Sequence, residues 1–162
     1  MVEVRVEDKP SFIIAGRKTW ISGEGNEQFG VLWSESHENG LIETLRDLSN
    51  NRPGEITNSY VFGVSEVDEN PDNRTFDFYI ATEVADMSRV GDLDHRTVPA
   101  CTWAIFSNKG ELPMSLVDAE MYAFLEWLPQ SGYQHAHAPE IEVYPAYDSQ
   151  AVEFWLPIIK SV

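Results

Sequence analysis

The feature that most constrains this chain is a strand pattern that occurs twice. Residues 76–80 (FDFYI) and residues 152–156 (VEFWL) both read apolar, acidic, Phe, aromatic, aliphatic. Side chains of a strand point alternately to its two faces, so both segments present the same two faces. Each segment also follows a strand, a helical connection and a further strand. We therefore predict an internal duplication of a β-α-β-β unit.

Hydrophobic periodicity and turn residues assign the remaining elements. The first unit has strands at 2–7 and 12–21, helices at 26–38 and 41–48, and strands at 59–65 and 75–83. The second unit has a strand at 98–106, a helix at 112–128, and strands at 139–144 and 152–158. Residues 67–73 are expected to form a polar hairpin connection, and residues 84–94 link the two halves.

The predicted fold class is α+β. We expect a single domain over residues 1–162, with one repeat at about 1–84 and the other at about 95–162. Pairing the units side by side gives an antiparallel sheet with pseudo-two-fold symmetry. Both helical connections then cover one face, and the other face curves into a ligand cleft at the junction of the halves, where pockets are common.

The charge of the chain restricts its partners. The formal net charge is −16 over 162 residues, and the 11 Lys and Arg residues are not clustered. Such a surface repels nucleic acid and anionic membranes, so neither is expected as a partner. The single cysteine, Cys101, excludes an intrachain disulfide, and the sequence has no apolar run of about eighteen residues. We expect a cytoplasmic protein that is a monomer or a weak homodimer.

Strand alternation sorts the candidate site residues, on the assumption that the apolar set of each closing strand lies under the helices. Ile141 and Val143 are assigned to the core on this basis, as are the apolar residues at alternate positions of 76–80 and 152–156. The side chains that remain for the cleft are Asp77, Tyr79, Glu140, Glu142, Tyr144, Glu153 and Trp155.

Three further aromatic residues are assigned to ligand binding from weaker patterns. Trp103 lies on a strand with two apolar faces, so core and cleft both stay open. A core position is favoured for Trp33, and Tyr133 precedes the closing strands. Acids alternating with aromatics on one strand usually mark a solvated sheet surface. Three such strands together would expose an aromatic patch, which favours a small aromatic or cationic ligand.

No metal and no cofactor are expected. His135, His137 and Glu140 match no zinc-binding spacing, and a solvated loop is favoured for them. The sequence has no glycine-rich phosphate loop, nucleophile elbow or dinucleotide fingerprint. Cys101 lies in an apolar strand without an activating neighbour, which indicates an inert thiol.

The carboxyl-terminal third carries three motifs in series, at residues 126–133 (EWLPQSGY), 139–144 (PEIEVY) and 152–158 (VEFWLPI). Together they resemble the end of a GyrI-like domain, the effector-binding module also fused to AraC-type and MerR-type regulators. The resemblance is clearest over residues 115–160. It implies two β-α-β-β repeats around a pseudo-two-fold cleft.

The resemblance also implies roles for individual residues. Glu142 and Glu153 would face the ligand pocket together with Tyr144 and Trp155. In regulators of this type such a Glu pairs with cationic drugs. One branch of stand-alone GyrI-like proteins hydrolyses the strained cyclopropane of DNA-alkylating cyclopropanoids inside an aromatic cage. This sequence shows no DNA-binding domain, so a transcriptional role is less expected.

Three functions follow from these observations. The first is detoxifying hydrolysis, with a carboxylate as general base. Glu153 is preferred over Glu142 for this role because it lies beside Trp155 on a strand whose other face is apolar. The second is sequestration or sensing of aromatic or cationic compounds without turnover. The third is a protein-interaction module with an acidic surface. The sequence does not separate turnover from binding.

The charge argument gives a testable prediction. Duplex DNA at low salt should show no retarded band with this protein, because an acidic surface gains nothing from counterion release. A basic DNA-binding domain on the same gel controls for sensitivity. A salt-sensitive shift at micromolar protein would overturn the electrostatic argument.

Overall fold

Nine strands form one antiparallel sheet in the computed structural model, which describes residues 1–22, 27–67 and 75–161. The strands are β1 Glu3–Lys9, β2 Phe12–Ile21, β3 Phe62–Ser65, β4 Phe76–Val84, β5 Asp94–Val98, β6 Cys101–Lys109, β7 Tyr133–His135, β8 Glu140–Val143 and β9 Ala151–Lys160. The α+β class with a large antiparallel sheet is therefore confirmed. The predicted polar connection lies almost wholly outside the described residues.

The helices follow the predicted order with one elaboration. They are α1 Glu27–Glu38, α2 Leu41–Leu48, α3 Met114–Met121 and α4 Leu128–Ser131, with a 3₁₀ turn at Met87–Arg89. The single helix predicted at 112–128 is divided, because a π-helical segment, Tyr122–Trp127, joins α3 to α4. None of the described helices is long and apolar enough to cross a membrane.

The order of strands in the sheet is palindromic. It runs β1-β6-β9-β8-β3-β4-β2-β5, with β7 paired to β9 beside this path. Exchanging β1 with β5, β2 with β6, β3 with β8 and β4 with β9 returns the same order reversed. The leading strand of each half thus pairs with the other half, and β3 meets β8 at the centre. The division into two repeats stays a prediction with which this order agrees.

Strands β5 and β7 were not predicted from the sequence. The β5 segment reads DHRTV, in which only Val98 is buried, so it lacks the apolar alternation that marks a strand. It forms because hydrogen bonding to the outer edge of β2 positions it, and polar residues are usual on such edge strands. With three residues, β7 is too short for a periodic signal.

Each half of the sheet has its own helical cover, and both covers lie on the same face. In the first half, Leu41 and Leu45 of α2 pack with Phe78 and Ile80 of β4. In the second half, the cluster is formed by Ala119, Ala123, Phe106, Phe154 and Leu156. Glu142 pairs in register with Phe154 on one side and with Gly63 on the other, so the centre of this face lies between the two covers.

The opposite face is a second core. Its buried members all come from strands and include Tyr79, Trp103, Ile141 and Trp155. Trp103 and Trp155 are 0% and 1% exposed, and their rings are 5.6 Å apart. Because strands alone bury this face, the sheet curves around it. The open aromatic cleft predicted for this face is therefore wrong.

The assignment of faces is wrong for one strand. Ile141 pairs in register with Trp155, and Val143 with Glu153, so both aliphatic residues lie on the face away from the helices. Glu142 and Tyr144 consequently face the helices and do not share a face with Glu153 and Trp155. The assumption that aliphatic residues always lie under the helices fails where both faces of a sheet are buried.

An ion pair fastens β1 to the second half. Arg5 donates a hydrogen bond of 3.1 Å to Glu153, whose other oxygen accepts one of 2.9 Å from Trp155 Nε1. Glu153 is 3% exposed. A charged group buried to this degree is tolerated because it has a cation and a donor.

This pair predicts a stability effect. Arg5→Met should lower the free energy of unfolding by about 1–3 kcal/mol, because it leaves the Glu153 carboxylate buried without its cation. Urea denaturation measures the change, and Arg52→Met at an exposed position is the control. Adding Glu153→Gln to Arg5→Met should restore most of the loss. If the two substitutions change the free energy of unfolding additively in the double variant, the ion-pair explanation is contradicted.

Candidate functional site

A cavity of about 950 Å³ opens on the helix side of the sheet, between the two helical covers. α1 and α2 form one wall, α3 and the turn before it form the other, and β3, β4, β8 and β9 contribute the floor. This cavity thus lies on the face opposite to the one for which a ligand cleft was predicted. β3 and β8 are only four residues long, and each helical cover packs on the longer strands beside them. The centre is therefore left uncovered.

Glu142 lies on the floor at the centre of the sheet. Alternation along β8 places Glu140, Glu142 and the following Tyr144 on the cavity side. Gly63 of β3 is the register partner of Glu142 and makes room for its side chain. A Cβ atom at position 63 would lie 2.6 Å from Cγ of Glu142, which real Cβ contacts do not reach. Only glycine lets the carboxylate lie across the neighbouring strand.

The groups that hydrogen-bond to the Glu142 carboxylate are neutral. Tyr144 donates a short hydrogen bond from its hydroxyl to Glu142 Oε2. Burial raises the pKa of Glu142 from its ordinary 4.5 to about 7, and hydrogen bonding from Tyr144 and Trp33 offsets only part of the rise. Burial and the adjacent carboxylate raise the pKa of Tyr144 well above its usual range. The site therefore holds a carboxylate whose charge is poorly compensated.

Two other buried carboxylates differ from Glu142 in this respect. Glu153 has Arg5 at 3.1 Å, and Glu140 has His135 Nε2 at 3.0 Å. Glu140 also lines the cavity, whereas Glu153 lies on the far side of the sheet. Among these three, Glu142 alone has no basic partner in the part of the chain that the structure describes.

Aromatic side chains border the carboxylate. Trp33 of α1 meets Tyr144 edge to face, with ring centroids 5.5 Å apart. Phe29 lies one helical turn before Trp33, and its ring contacts Phe78 at 4.9 Å. Residues four apart share a helix face, so both α1 side chains line the cavity. The arrangement can hold a flat, positively charged molecule between rings and over an anion.

The structure brings together four of the residues predicted for the cleft or for ligand binding, namely Trp33, Glu140, Glu142 and Tyr144. The base preferred from the sequence, Glu153, lies on the opposite face with Trp155, Tyr79 and Trp103. Burial and Glu66 raise the pKa of Tyr79.

Two further predicted residues also lie away from the cavity lining. Asp77 is half-buried and pairs in register with Trp20. Tyr133 stacks on Trp127 at 5.9 Å, beside the second helical cover. The ligand-binding roles of all these residues stay predictions.

Several cavity residues were not predicted, and two signals for them are present in the sequence. Phe29, Trp33 and His37 recur every four residues, which marks one face of α1. A glycine inside the strand pattern VFGVS signals a close approach by another group, here Glu142 over Gly63. No local pattern in the sequence indicates that Arg46 lines the cavity. Within the described residues, no group of three or more His, Cys, Asp or Glu side chains could hold a metal ion.

Comparison with known proteins agrees with this geometry. A sequence model described as a GyrI-like small molecule binding domain matches residues 2–159. No curated protein sequence matches the chain. Among solved structures, SAV2435 bound to tetraphenylphosphonium is similar with a TM-score of 0.79 at 16% identity, covering 97% of this chain and 94% of that chain.

Two other solved structures have the same fold. An integron cassette protein from the mobile metagenome of Vibrio cholerae has a TM-score of 0.68 at 16% identity, covering 96% of this chain and 95% of that chain. The C-terminal domain of EcmrR has a TM-score of 0.63 at 15% identity, covering 99% of both chains. At these identities the likeness shows the fold alone.

The raised pKa of Glu142 predicts a stability cost. Its pKa is about 7 in the folded chain against an ordinary 4.5, so the folded state binds the extra proton between these values. The contribution of Glu142 to the free energy of unfolding is therefore fully present at low pH and is lost as the pH rises towards 7. Between pH 5.5 and pH 8, the free energy of unfolding of the parent should therefore fall by about 2 kcal/mol relative to that of Glu142→Gln. Urea denaturation at the two pH values measures this difference. A difference that does not change with pH would contradict the raised pKa.

Proposed function

Because the chain belongs to the GyrI-like small-molecule-binding domain family, we propose that it binds aromatic organic cations in the cavity between its helical covers. In this proposal, the Glu142 carboxylate is the counter-ion, and Trp33 and Tyr144 are the aromatic walls. The protein acts by enclosing such compounds, as a sequestering or sensing module.

The observation that carries the proposal is the position of Glu142 on the cavity floor, where the groups that hydrogen-bond to its carboxylate are neutral. A buried carboxylate without a basic partner is costly in the empty protein, and an organic cation removes that cost by supplying the missing charge. The neutral donors Tyr144 and Trp33 orient the carboxylate but leave its charge available. Edge-to-face rings beside it add cation–π attraction.

A similar structure supports the ligand class. SAV2435 has been solved with tetraphenylphosphonium, an aromatic cation with a permanent charge. The size of the present cavity, about 950 Å³, is in the upper range of small-molecule sites. A bulky cation of that kind therefore suits it.

Hydrolysis of strained cyclopropyl rings is the second candidate function. The pKa of about 7 makes Glu142 an effective general base near neutral pH, beside aromatic walls that can stack on a flat substrate. A strained electrophile needs little more than proximity and one base. Glu153, the base preferred from sequence, is engaged by Arg5 on the opposite face, so we assign the role in this candidate to Glu142.

The pH dependence of cation binding tests the first function. The affinity for tetraphenylphosphonium should be constant above about pH 7 and fall roughly tenfold per pH unit below it, because only ionised Glu142 attracts the cation. Calorimetric titration or quenching of tryptophan fluorescence measures the affinity. Glu142→Gln should bind at least about tenfold more weakly at pH 8 and lose the pH dependence.

Matched controls separate the charge from the shape of the site. Glu153→Gln makes the same chemical change on the other face and should leave the affinity unchanged. Tetraphenylborate has the shape of the cation with the opposite charge and should not bind. Equal binding of both ions, or a pH-independent affinity in the parent, would contradict the role of Glu142.

Mass spectrometry decides between binding and turnover. An alkylating cyclopropanoid incubated with the protein should be recovered unchanged if the protein only binds. A gain of one water that disappears in Glu142→Gln and persists in Glu153→Gln would establish hydrolysis, with a rate loss of about a hundredfold or more.

A further inference from the structure

Arg46, a strongly basic side chain of α2, faces the same cavity. Among the described residues that line it, Arg46 of α2 is the only Lys or Arg. The protein has a formal net charge of −16, and its cavity also carries Glu120, Glu140 and Glu142. An arginine at this place opposes the binding of a simple cation, so its position requires an explanation of its own.

Arg46 is held in one orientation. Its guanidinium carbon lies 3.9 Å from the centre of the Tyr60 ring, which is a stacked cation–π contact. Its Nε donates a hydrogen bond of 2.9 Å to Asn51 Oδ1. Asn51 adopts the left-handed conformation at the end of α2, with a φ of 57°, which few residues other than Asn or Gly adopt readily. Stacking and the Nε hydrogen bond together fix the plane of the guanidinium.

The terminal nitrogens of Arg46 remain available for a ligand. Neither Nη1 nor Nη2 has a hydrogen-bond or ion-pair partner within residues 1–22, 27–67 and 75–161. Arg46 is half-buried, so an anion bound there would be partly shielded from water. Two parallel N–H groups of a fixed guanidinium match the oxygens of a carboxylate.

The basic group and the acidic group of the cavity are separated by a short span. Tyr60, on which Arg46 stacks, precedes Gly63 by three residues, and Glu142 lies across Gly63. Three residues of extended chain span at most about 10 Å. Burial is the main cause of the raised pKa of Glu142, and the two residues do not form an ion pair with each other. The cavity thus has a negative and a positive end within reach of one small molecule.

We infer that Arg46 and Tyr60 form a carboxylate-binding subsite, so that the preferred ligands are aromatic zwitterions. Such a ligand places its cationic group over Glu142 and its carboxylate on Arg46, with its aromatic body between Trp33 and the floor. The inference rests on the proposed binding function and narrows its ligand class. A phosphonate or sulfonate would use the same subsite through the same chemistry.

A pair of dyes that differ only in the carboxylate tests this subsite. Rhodamine B is an aromatic zwitterion at neutral pH, and its ethyl ester keeps the cation and blocks the carboxylate. Measured by fluorescence anisotropy at pH 8, the wild-type protein should bind rhodamine B at least about tenfold more tightly than the ester. This is the difference expected of a charge-assisted hydrogen bond.

Substitution of Arg46 assigns that preference to the subsite. Arg46→Gln should bring the ratio of the two affinities to about one, with weaker binding of rhodamine B and unchanged or tighter binding of the ester. Arg46→Lys keeps the charge without the planar fork and should retain only part of the preference. Arg52→Gln removes the same charge away from this cavity and should keep the wild-type ratio.

The outcomes separate this inference from the proposed function. If the protein binds tetraphenylphosphonium and the ester but shows no preference for rhodamine B, the subsite is wrong and the cation site stands. If tetraphenylphosphonium binds and neither dye does, the zwitterion class is wrong. If the preference persists in Arg46→Gln, the carboxylate of the dye binds a residue other than Arg46, and the assignment is overturned. Failure of all three probes contradicts the proposed function itself.

Discussion

The constraint on which the rest of this structure depends is a carboxylate on the cavity floor, Glu142, that has no basic partner among the described residues. Glu142 is placed where burial raises its pKa to about 7, and its neighbours are the neutral donors Tyr144 and Trp33. Glu153 and Glu140, which are less exposed than Glu142, have Arg5 and His135 as basic partners. An uncompensated charge opposes folding, so the surrounding packing has to support it. In the proposed function, the same imbalance attracts a positively charged ligand to the cavity.

The palindromic sheet supplies that support. Exchange of the leading strands ties each half to the other, and the face away from the helices is sealed by an all-strand core around Trp103 and Trp155. The two helical covers are thereby held apart without needing contact across the centre. The central strands β3 and β8 remain uncovered, and Gly63 leaves space for the carboxylate. The cavity therefore follows from the strand order and from the gap between the two helical covers.

Sequence reasoning reached the architecture and part of the site. The repeated pattern at 76–80 and 152–156 predicted the order of elements, and alternation along β8 correctly grouped Glu142 with Tyr144. The cleft was predicted on the wrong side of the sheet. Polarity alone does not show which face of a strand lies under the helices when both faces are buried. The environment of Glu153 was also beyond reach, since Arg5 lies 148 positions away in the chain. Arg46 was missed because its role depends on Tyr60, a contact that no local pattern indicates.

Proton release on ligand binding is the most direct test of the central claim. Calorimetric titration of tetraphenylphosphonium in buffers of different ionisation enthalpy gives the number of protons released per cation bound. If Glu142 has a pKa of about 7 and must ionise to receive the cation, nearly one proton should be released at about pH 6 and almost none at about pH 8.5. Cation binding without proton release at about pH 6 would contradict the account, because the carboxylate would then be ionised already or would take no part in binding.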